Sequence, residues 1–357
     1  MNVYIAHEDP YHAGNPYIYT LMEGIHAQHP DVEFAWGENL FWNDSILNFD
    51  IVHFHWTQAF MANDAAHHTA SDLLNRLIFL KEHNVKIVAT CHDLKSHYNQ
   101  CSSFSDCLGI VYKHCDAIFH MGHYSLELFL EKYPNAQHIL LPHHLYNTVY
   151  TTFPTKEESI KCLGLSPNRQ YILCLGMFRA DEERELVKKI SPLFSLNKLS
   201  ILAPAFMEVE QNYHHKFIPT RKYLLKKYYR AFYHISCSGK TWVPISDEKL
   251  PYYYGAANIA FVHRVKILNS GNAILPMLFS KVVVGPNIGN CGEILKENGC
   301  PTFNADTLDD VNVAITNGLQ LANNPQFCKR LNENALLKYS TEKISNELYY
   351  HYKRITK

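Results

Sequence analysis

Residues 264–293 read RVKILNSGNAILPMLFSKVVVGPNIGNCGE, and this run decides the fold class. It divides into a loop, a helix, a strand and a second loop. Asn269-Ser270-Gly271 is a turn with helix-capping chemistry and a glycine that permits close backbone approach. The spacing predicts a short apolar helix over 273–279. Residues 281–285 are a β-branched run suited to a buried parallel strand. The stretch 286–292 is a loop with two glycines, and it ends at Glu293. A helix N-terminus beside such a loop offers unpaired N–H groups and a positive dipole end, which favours a phosphate. Arg264, just upstream, can add a bidentate contact.

Outward from this run the chain keeps alternating short apolar segments with helical patterns, the mark of parallel α/β architecture. Residues 3–6, 51–54, 86–90, 117–120 and 138–141 predict the strands of one sheet, with a crossover helix over 73–83. Residues 171–175, 198–203, 259–262 and 282–284 predict those of a second. A domain boundary is expected in the polar, proline-containing stretch 148–167, and 324–352 is mostly helical in pattern. A chain of 357 residues with 47% hydrophobic content supports two cores. We expect two Rossmann-like domains, at 1–150 and 165–340.

Composition narrows the class of function. A net charge of −1 gives no chain-wide field to attract nucleic acid. The opening MNVYIAHEDP reads as a strand and its loop rather than a signal peptide, and no long uncharged apolar run predicts a membrane span. None of the ten cysteines forms a CxxC pair. Their scatter among apolar residues suggests buried thiols in a reducing compartment, so a cytoplasmic protein is expected.

Six further segments join the opening run in a resemblance. They are AGNPYIYTLMEGI (13–25), FDIVHFHW (49–56), VKIVATCHDLKSH (85–97), ILLPHHLYNTVY (139–150), LCLGMFRADEER (173–184) and KLPYYYGAANIAFVHRVKILNSG (249–271). In this order and spacing they resemble GT-B glycosyltransferases, and most closely a bacterial branch related to glycosyltransferase family 4 with a Ser-Gly turn. The resemblance implies two Rossmann-like domains facing a cleft, with a C-terminal helix (341–357) packing back on the first. It implies transfer of a sugar from a nucleoside-diphosphate sugar to a glycan or polyprenyl-linked acceptor hydroxyl, in bacterial surface polysaccharide synthesis. No cofactor and no metal are expected, since no DxD-like pair follows a strand.

Ligands of open α/β sheets bind outside the carboxyl ends of strands, so the loops after strands hold the candidate residues. Gly14 and Asn15 either approach a sugar or phosphate or form an ordinary turn with Pro16 at a helix start. His92 and Asp93 are the candidate catalytic pair; the alternative is a His–Asp pair that caps the next segment. His55, His97 and His143 are cleft or acceptor candidates. His53 and His55 share one strand face, and His55 is nearer the carboxyl end.

In the second domain Arg179, Arg184, Arg264, Lys266, Asn269, Ser270, Gly271 and Glu293 are the donor-binding candidates. The family places an Arg and, five residues later, a Lys in the loop at 173–184. Here these are Arg179 and Arg184, a fork in place of a point charge. Asp181, Glu182 and Glu183 lie between them, and carboxylates beside a diphosphate oppose it unless they turn away or pair. Many family 4 enzymes carry two glutamates eight residues apart near the helix start. Here the pair reads Ile267 and Leu275, or Leu268 and Pro276, so no such contact carries over. Glu293 is the remaining acidic candidate, for a ribose hydroxyl or for the helix start.

The segment 211–246 has seven Lys and Arg and no acid. Its stretch 216–230, with interleaved aromatics, fits either an anionic membrane face or a solvated helix with inward aromatics. Two alternatives to transfer stay open: a non-catalytic GT-B subunit of an assembly complex, and a sugar-nucleotide epimerase.

Overall fold

The computed structural model describes residues 1–94, 102–190, 199–206, 219–233, 235–236 and 245–357. It divides into two compact units, Met1–Thr148 with Tyr339–Lys357, and Val149–Lys338.

Unit 1 is built on β1 (Asn2–Ala6), β2 (Glu33–Ala35), β3 (Ile51–Phe54), β4 (Lys86–Cys91), β5 (Ala117–His120) and β6 (Gln137–Leu140). All pair in parallel, in the order β2-β1-β3-β4-β5-β6. Its helices are α1 (Tyr17–Gln28), α2 (Glu38–Trp42), α3 (Thr57–Asn63), α4 (Ala70–Glu82), α5 (Ser102–His114) and α6 (His123–Lys132). The crossover α4 shows why they form. Thr69 and Asp72 make a reciprocal capping box at its start, and Leu73, Leu77 and Leu80 bury one face at helical spacing.

Unit 2 runs α7 (Lys156–Leu163), β7 (Gln170–Leu173), α8 (Asp181–Ile190), β8 (Leu199–Leu202), α9 (Pro219–Tyr233), β9 (Ile235–Ser236) and α10 (Leu250–Ala256). It continues through β10 (Ile259–Phe261), α11 (Gly271–Leu278), β11 (Val282–Pro286), α12 (Gly289–Glu297), β12 (Thr302–Phe303), α13 (Leu308–Ala322) and α14 (Pro325–Tyr339). Its strands are also all parallel, in the order β12-β11-β10-β7-β8-β9. The chain then returns to unit 1 as α15 (Thr341–Ile355).

Each order contains one reversal. In unit 1 the chain leaves β1 for β2 on one side and β3 on the other. In unit 2 it leaves β7 for β8 on one side and reaches β10 on the other. The loops that leave the two strands at such a point diverge to opposite faces and open a crevice, where ligands of this architecture bind. The crevice loops are therefore those after β1 and β3, and those after β7 and β10.

The division between the units, after Thr148, falls at the start of the stretch 148–167, and the rest of that stretch contains α7, whose polar composition reflects a solvated outer face. Thr155 and Glu158 cap it reciprocally, Gly164 ends it at φ 62°, and Ile160 is buried. Ser159 lies so close to Gly255 of α10 that a side chain at 255 would collide with its hydroxyl. The helix predicted over 273–279 starts earlier, at Gly271. Lys198, expected to open a strand, lies outside the described residues.

Candidate functional site

In unit 2 the loop after β7 is shaped by Gly176, which sits at φ 96°, where a side chain is strained. A Cβ there would also stand 2.8 Å from the Asn272 side-chain nitrogen, which donates to the Leu175 carbonyl at 2.8 Å. The first turn of α11 is thus clamped to the loop after β7. Met177 takes a second clamp from the loop after β10: His263 Nε2 and Arg264 Nη2 each approach its carbonyl at 3.4 Å. His263 also stacks on Phe178, 3.9 Å between ring centres. It is buried, and burial beside Arg264 lowers its pKa to about 3, so it is a neutral ring.

The three acids of this loop are each accounted for. Asp181 lies 3.5 Å from Arg184 Nη1, and Glu182 is 2.9 Å from Lys266 Nζ. Glu183 turns inward and accepts the Arg179 N–H at 2.7 Å, capping α8 from within. Burial raises its pKa, while the charges of Arg264 and Arg179 oppose that shift. Arg179 itself is exposed.

Arg184, a donor-binding candidate by its position, is engaged by Asp181 and by the backbone of its own unit. Its Nε donates to the Phe206 carbonyl at 3.2 Å and its Nη2 to the Phe178 carbonyl at 3.0 Å. A guanidinium engaged by two backbone carbonyls braces the loop.

The loop after β10 ends at α11. Ser270 is its N-cap, and the hydroxyl accepts the Asn272 N–H at 3.3 Å. Asn269 accepts from Asn290 of α12 at 2.8 Å. Gly289, at φ 54°, lets α12 approach so closely that a Cβ would stand 2.9 Å from the Ile267 carbonyl. Glu293 is half-buried in the second turn of α12. Arg179, Arg264, Lys266 and the Ser270-Gly271 helix start therefore lie on the two loops that flank the unit 2 crevice and on the helix that follows.

In unit 1 the crevice loops and their neighbours gather aromatic and imidazole rings around Tyr17. Asn15 accepts the Tyr17 N–H at 3.1 Å and the Tyr146 hydroxyl at 3.3 Å. The Tyr17 ring lies 4.9 Å from His92, 4.9 Å from His143 and 4.8 Å from His144. His55 Nδ1 and His92 Nε2 are 3.2 Å apart. Trp56 stacks on His92 at 4.3 Å. Further along, His144 Nε2 meets the Thr20 hydroxyl at 2.6 Å, and His143 Nδ1 takes the His144 carbonyl at 2.7 Å. Burial is the main cause that lowers every one of these imidazoles: His55 to about 3, His143 to about 4, His92 and His144 well below the usual value. The cluster is neutral, able to donate and accept hydrogen bonds without a charge to solvate.

Four loops bring His55, His92, His143 and Asn15 together. Gly14 is exposed, and a Cβ added to it would meet nothing within 4 Å. Asp93 is half-buried, and its backbone carbonyl accepts the Tyr112 hydroxyl at 3.4 Å. His97 lies outside the described residues. Among the described residues no group of three or more His, Cys, Asp or Glu is placed to hold a metal ion.

Sequence reasoning passed over Tyr17, Trp56, His263, Asn272 and Asn290. The signal for His263 was present, since it follows a predicted strand as His92 does. Tyr17 and Trp56 carry no local signal of their own, and the fold of unit 1 brings them to His92.

No family model matches the chain, and no curated protein matches it. Among solved structures, sucrose-phosphate synthase from Thermosynechococcus elongatus superposes with a TM-score of 0.70 at 14% identity, over 99% of each chain. Anabaena HepE in complex with UDP-glucose gives 0.66 at 12% identity, over 99% of this chain and 100% of that one. The UDP-GlcNAc 2-epimerase of Neisseria meningitidis gives 0.56 at 10% identity, over 98% of each. At this identity the likeness shows the fold: two Rossmann-like α/β domains, as in GT-B glycosyltransferases.

Proposed function

We propose that the chain is a glycosyltransferase that uses a nucleoside-diphosphate sugar, of the branch related to family 4. The observation that carries this reading is the charge arrangement at the unit 2 crevice. Arg179, Arg264, Lys266 and the α11 start sit on its loops, while Asp181, Glu182 and Glu183 are each turned to a partner. Asp181 and Glu182 are each drawn to a cation and Glu183 to a backbone N–H, so none of the three is left facing a diphosphate without a partner. Cations and N–H groups placed where charge develops on a leaving diphosphate stabilise the transition state electrostatically. Lys266 is 79% exposed and its partner Glu182 59%, so a phosphate can replace that carboxylate at small cost.

In this reading His92, Asp93 and their neighbours His55 and His143 act on the sugar and acceptor side. A neutral His92, fixed by Trp56 and His55, supplies a hydrogen bond to the transferred sugar. Arg184 shapes the phosphate loop and makes no ligand contact. Glu293 and Asn269 serve the nucleoside end. The acceptor is a glycan or lipid-linked hydroxyl, and the setting is surface polysaccharide assembly in a bacterial cytoplasm.

The test is calorimetry and thermal shift with UDP, GDP, ADP and CMP and their sugars, with UDP-glucose first because HepE was solved with it. Binding of one nucleotide sugar, followed by transfer to an added glycan acceptor, is expected. Failure of every nucleotide to raise the melting temperature would sink the proposal. A second reading, a sugar-nucleotide epimerase, has the end-to-end likeness to UDP-GlcNAc 2-epimerase in its favour. Conversion of the sugar nucleotide without any acceptor would establish it instead.

A further inference from the structure

Helix α9 of unit 2 presents two unlike faces. Tyr229 points to the body of the unit, with its ring 5.1 Å from Phe206 and Lys188 Nζ of α8 above it at 5.8 Å. On the outside Leu224, Tyr228 and Phe232 are 60%, 45% and 68% exposed. They recur every four residues and so form one stripe along the helix. Tyr228 and Phe232 lie 4.9 Å apart between ring centres, and Tyr228 also meets Tyr229 and Tyr233 of the same helix at 5.5 and 5.9 Å. Of the two readings left open for this segment, the solvated helix with inward aromatics does not describe Tyr228 and Phe232. Large apolar side chains aligned on a helix exterior are an interaction surface rather than scattered exposure.

The charge of the same helix says what the surface meets. The sequence of α9 contains five cations, Arg221, Lys222, Lys226, Lys227 and Arg230, and no Asp or Glu. At the foot of the helix Arg230 lines a cavity of about 280 Å³ together with Arg169, Ser166, Ser200 and Tyr171. Arg169 Nη1 donates to the Ser200 hydroxyl at 3.0 Å, so a second guanidinium faces the same space. Arg169 precedes β7 and Ser200 lies early in β8, so the cavity opens at the amino edge of the sheet. The nucleotide loops leave the carboxyl edge.

We infer that the outer face of α9 docks the protein on an anionic phospholipid bilayer. Leu224, Tyr228 and Phe232 enter the acyl boundary, and Lys227 and Arg230, with Arg169 beside the cavity, meet the headgroup phosphates. Apolar insertion plus attraction to anionic lipid is how an amphipathic helix lies in a membrane interface. The inference stands apart from the donor reading, because no residue of it belongs to the crevice.

The experiment is co-sedimentation of the full chain with phosphatidylcholine vesicles with and without phosphatidylglycerol. Binding only to the anionic vesicles, weakening steeply with salt, is expected. Leu224→Gln with Phe232→Gln leaves every charge in place and should reduce binding by roughly tenfold or more. Arg169→Gln with Arg230→Gln should reduce it by roughly fivefold per cation. Both variants should keep the wild-type melting temperature, which controls for folding. Wild-type protein that ignores anionic vesicles at low salt overturns the inference. So does a Leu224/Phe232 variant that binds as wild type, or a preference for single-stranded RNA over the vesicles.

Discussion

Arg264 and Arg184 differ in their surroundings although both are arginines beside one crevice, the first on the loop after β10 and the second in the first turn of α8. Arg264 belongs to the loop that leads into α11, and Arg184 is held by the Phe178 and Phe206 carbonyls. Arg264→Ala should weaken nucleotide-sugar binding by about 1.5–3 kcal/mol, the range for a charge-assisted hydrogen bond. Arg184→Ala should instead lower the melting temperature, because two buried carbonyls lose their donor. Calorimetry beside thermal melts separates the two, and equal loss of affinity in both variants would reject this division. The sequence alone pairs Arg184 with the family's phosphate lysine by position. Position could not show that α8 begins at Asp181 and turns the Arg184 side chain back toward Phe206.

Legibility of the elements followed their burial. The Val282–Val284 run reads as a strand because it is apolar on both faces, and β11 runs through it at the inside of its sheet. The edge strands β2, β9 and β12 were passed over, since two or three residues make no periodic pattern. Helix α7 was hidden by its polar outer face. The start of α11 was legible from Ser270 because an N-cap is a local device. What the helix contacts was not, since Asn272 and Gly176 are far apart in the chain. The charge placed around that helix carries a prediction about metals. Arg179, Arg264, Lys266 and a helix dipole can together neutralise a diphosphate, the task a magnesium ion performs elsewhere. Turnover should therefore survive EDTA. Full loss with the chelator, restored by Mg²⁺ or Mn²⁺, would show that a cation is required.

At the scale of the molecule the imidazoles of unit 1 set a pH limit. His55 and His143 have folded values of about 3 and 4, and His92 and His144 are also lowered, whereas in the unfolded chain each titrates near 6.5. As pH falls below 6.5 the unfolded chain takes up protons that the folded cluster refuses. Stability is then full above pH 6.5 and declines toward pH 4, by about 1.4 kcal/mol per pH unit for each such group. Melting temperatures across this window should fall steeply, and His143→Gln should make the fall shallower. A flat profile between pH 6.5 and 5 would mean that water reaches these rings. In sequence 22 histidines look alike. The strand order is what selects the few that share one buried space.

The return of α15 to unit 1 has a consequence for the living chain. Gly24 of α1 packs so tightly on Ser345 that a side chain at 24 would collide with its hydroxyl, and Tyr352 closes on His53 within the sheet's core. A ribosome makes residues 1–148 before unit 2 and these partners after it. The sheet of unit 1 must therefore wait, its α1 face uncovered, while all of unit 2 is translated and free to fold. A released chain ending at Ser340 should resist protease across the described parts of Val149–Lys338 and be cut within the first 148 residues; protection of both regions would show that α15 is a late addition to a finished domain. For this protein the unit begun before the other is completed after it.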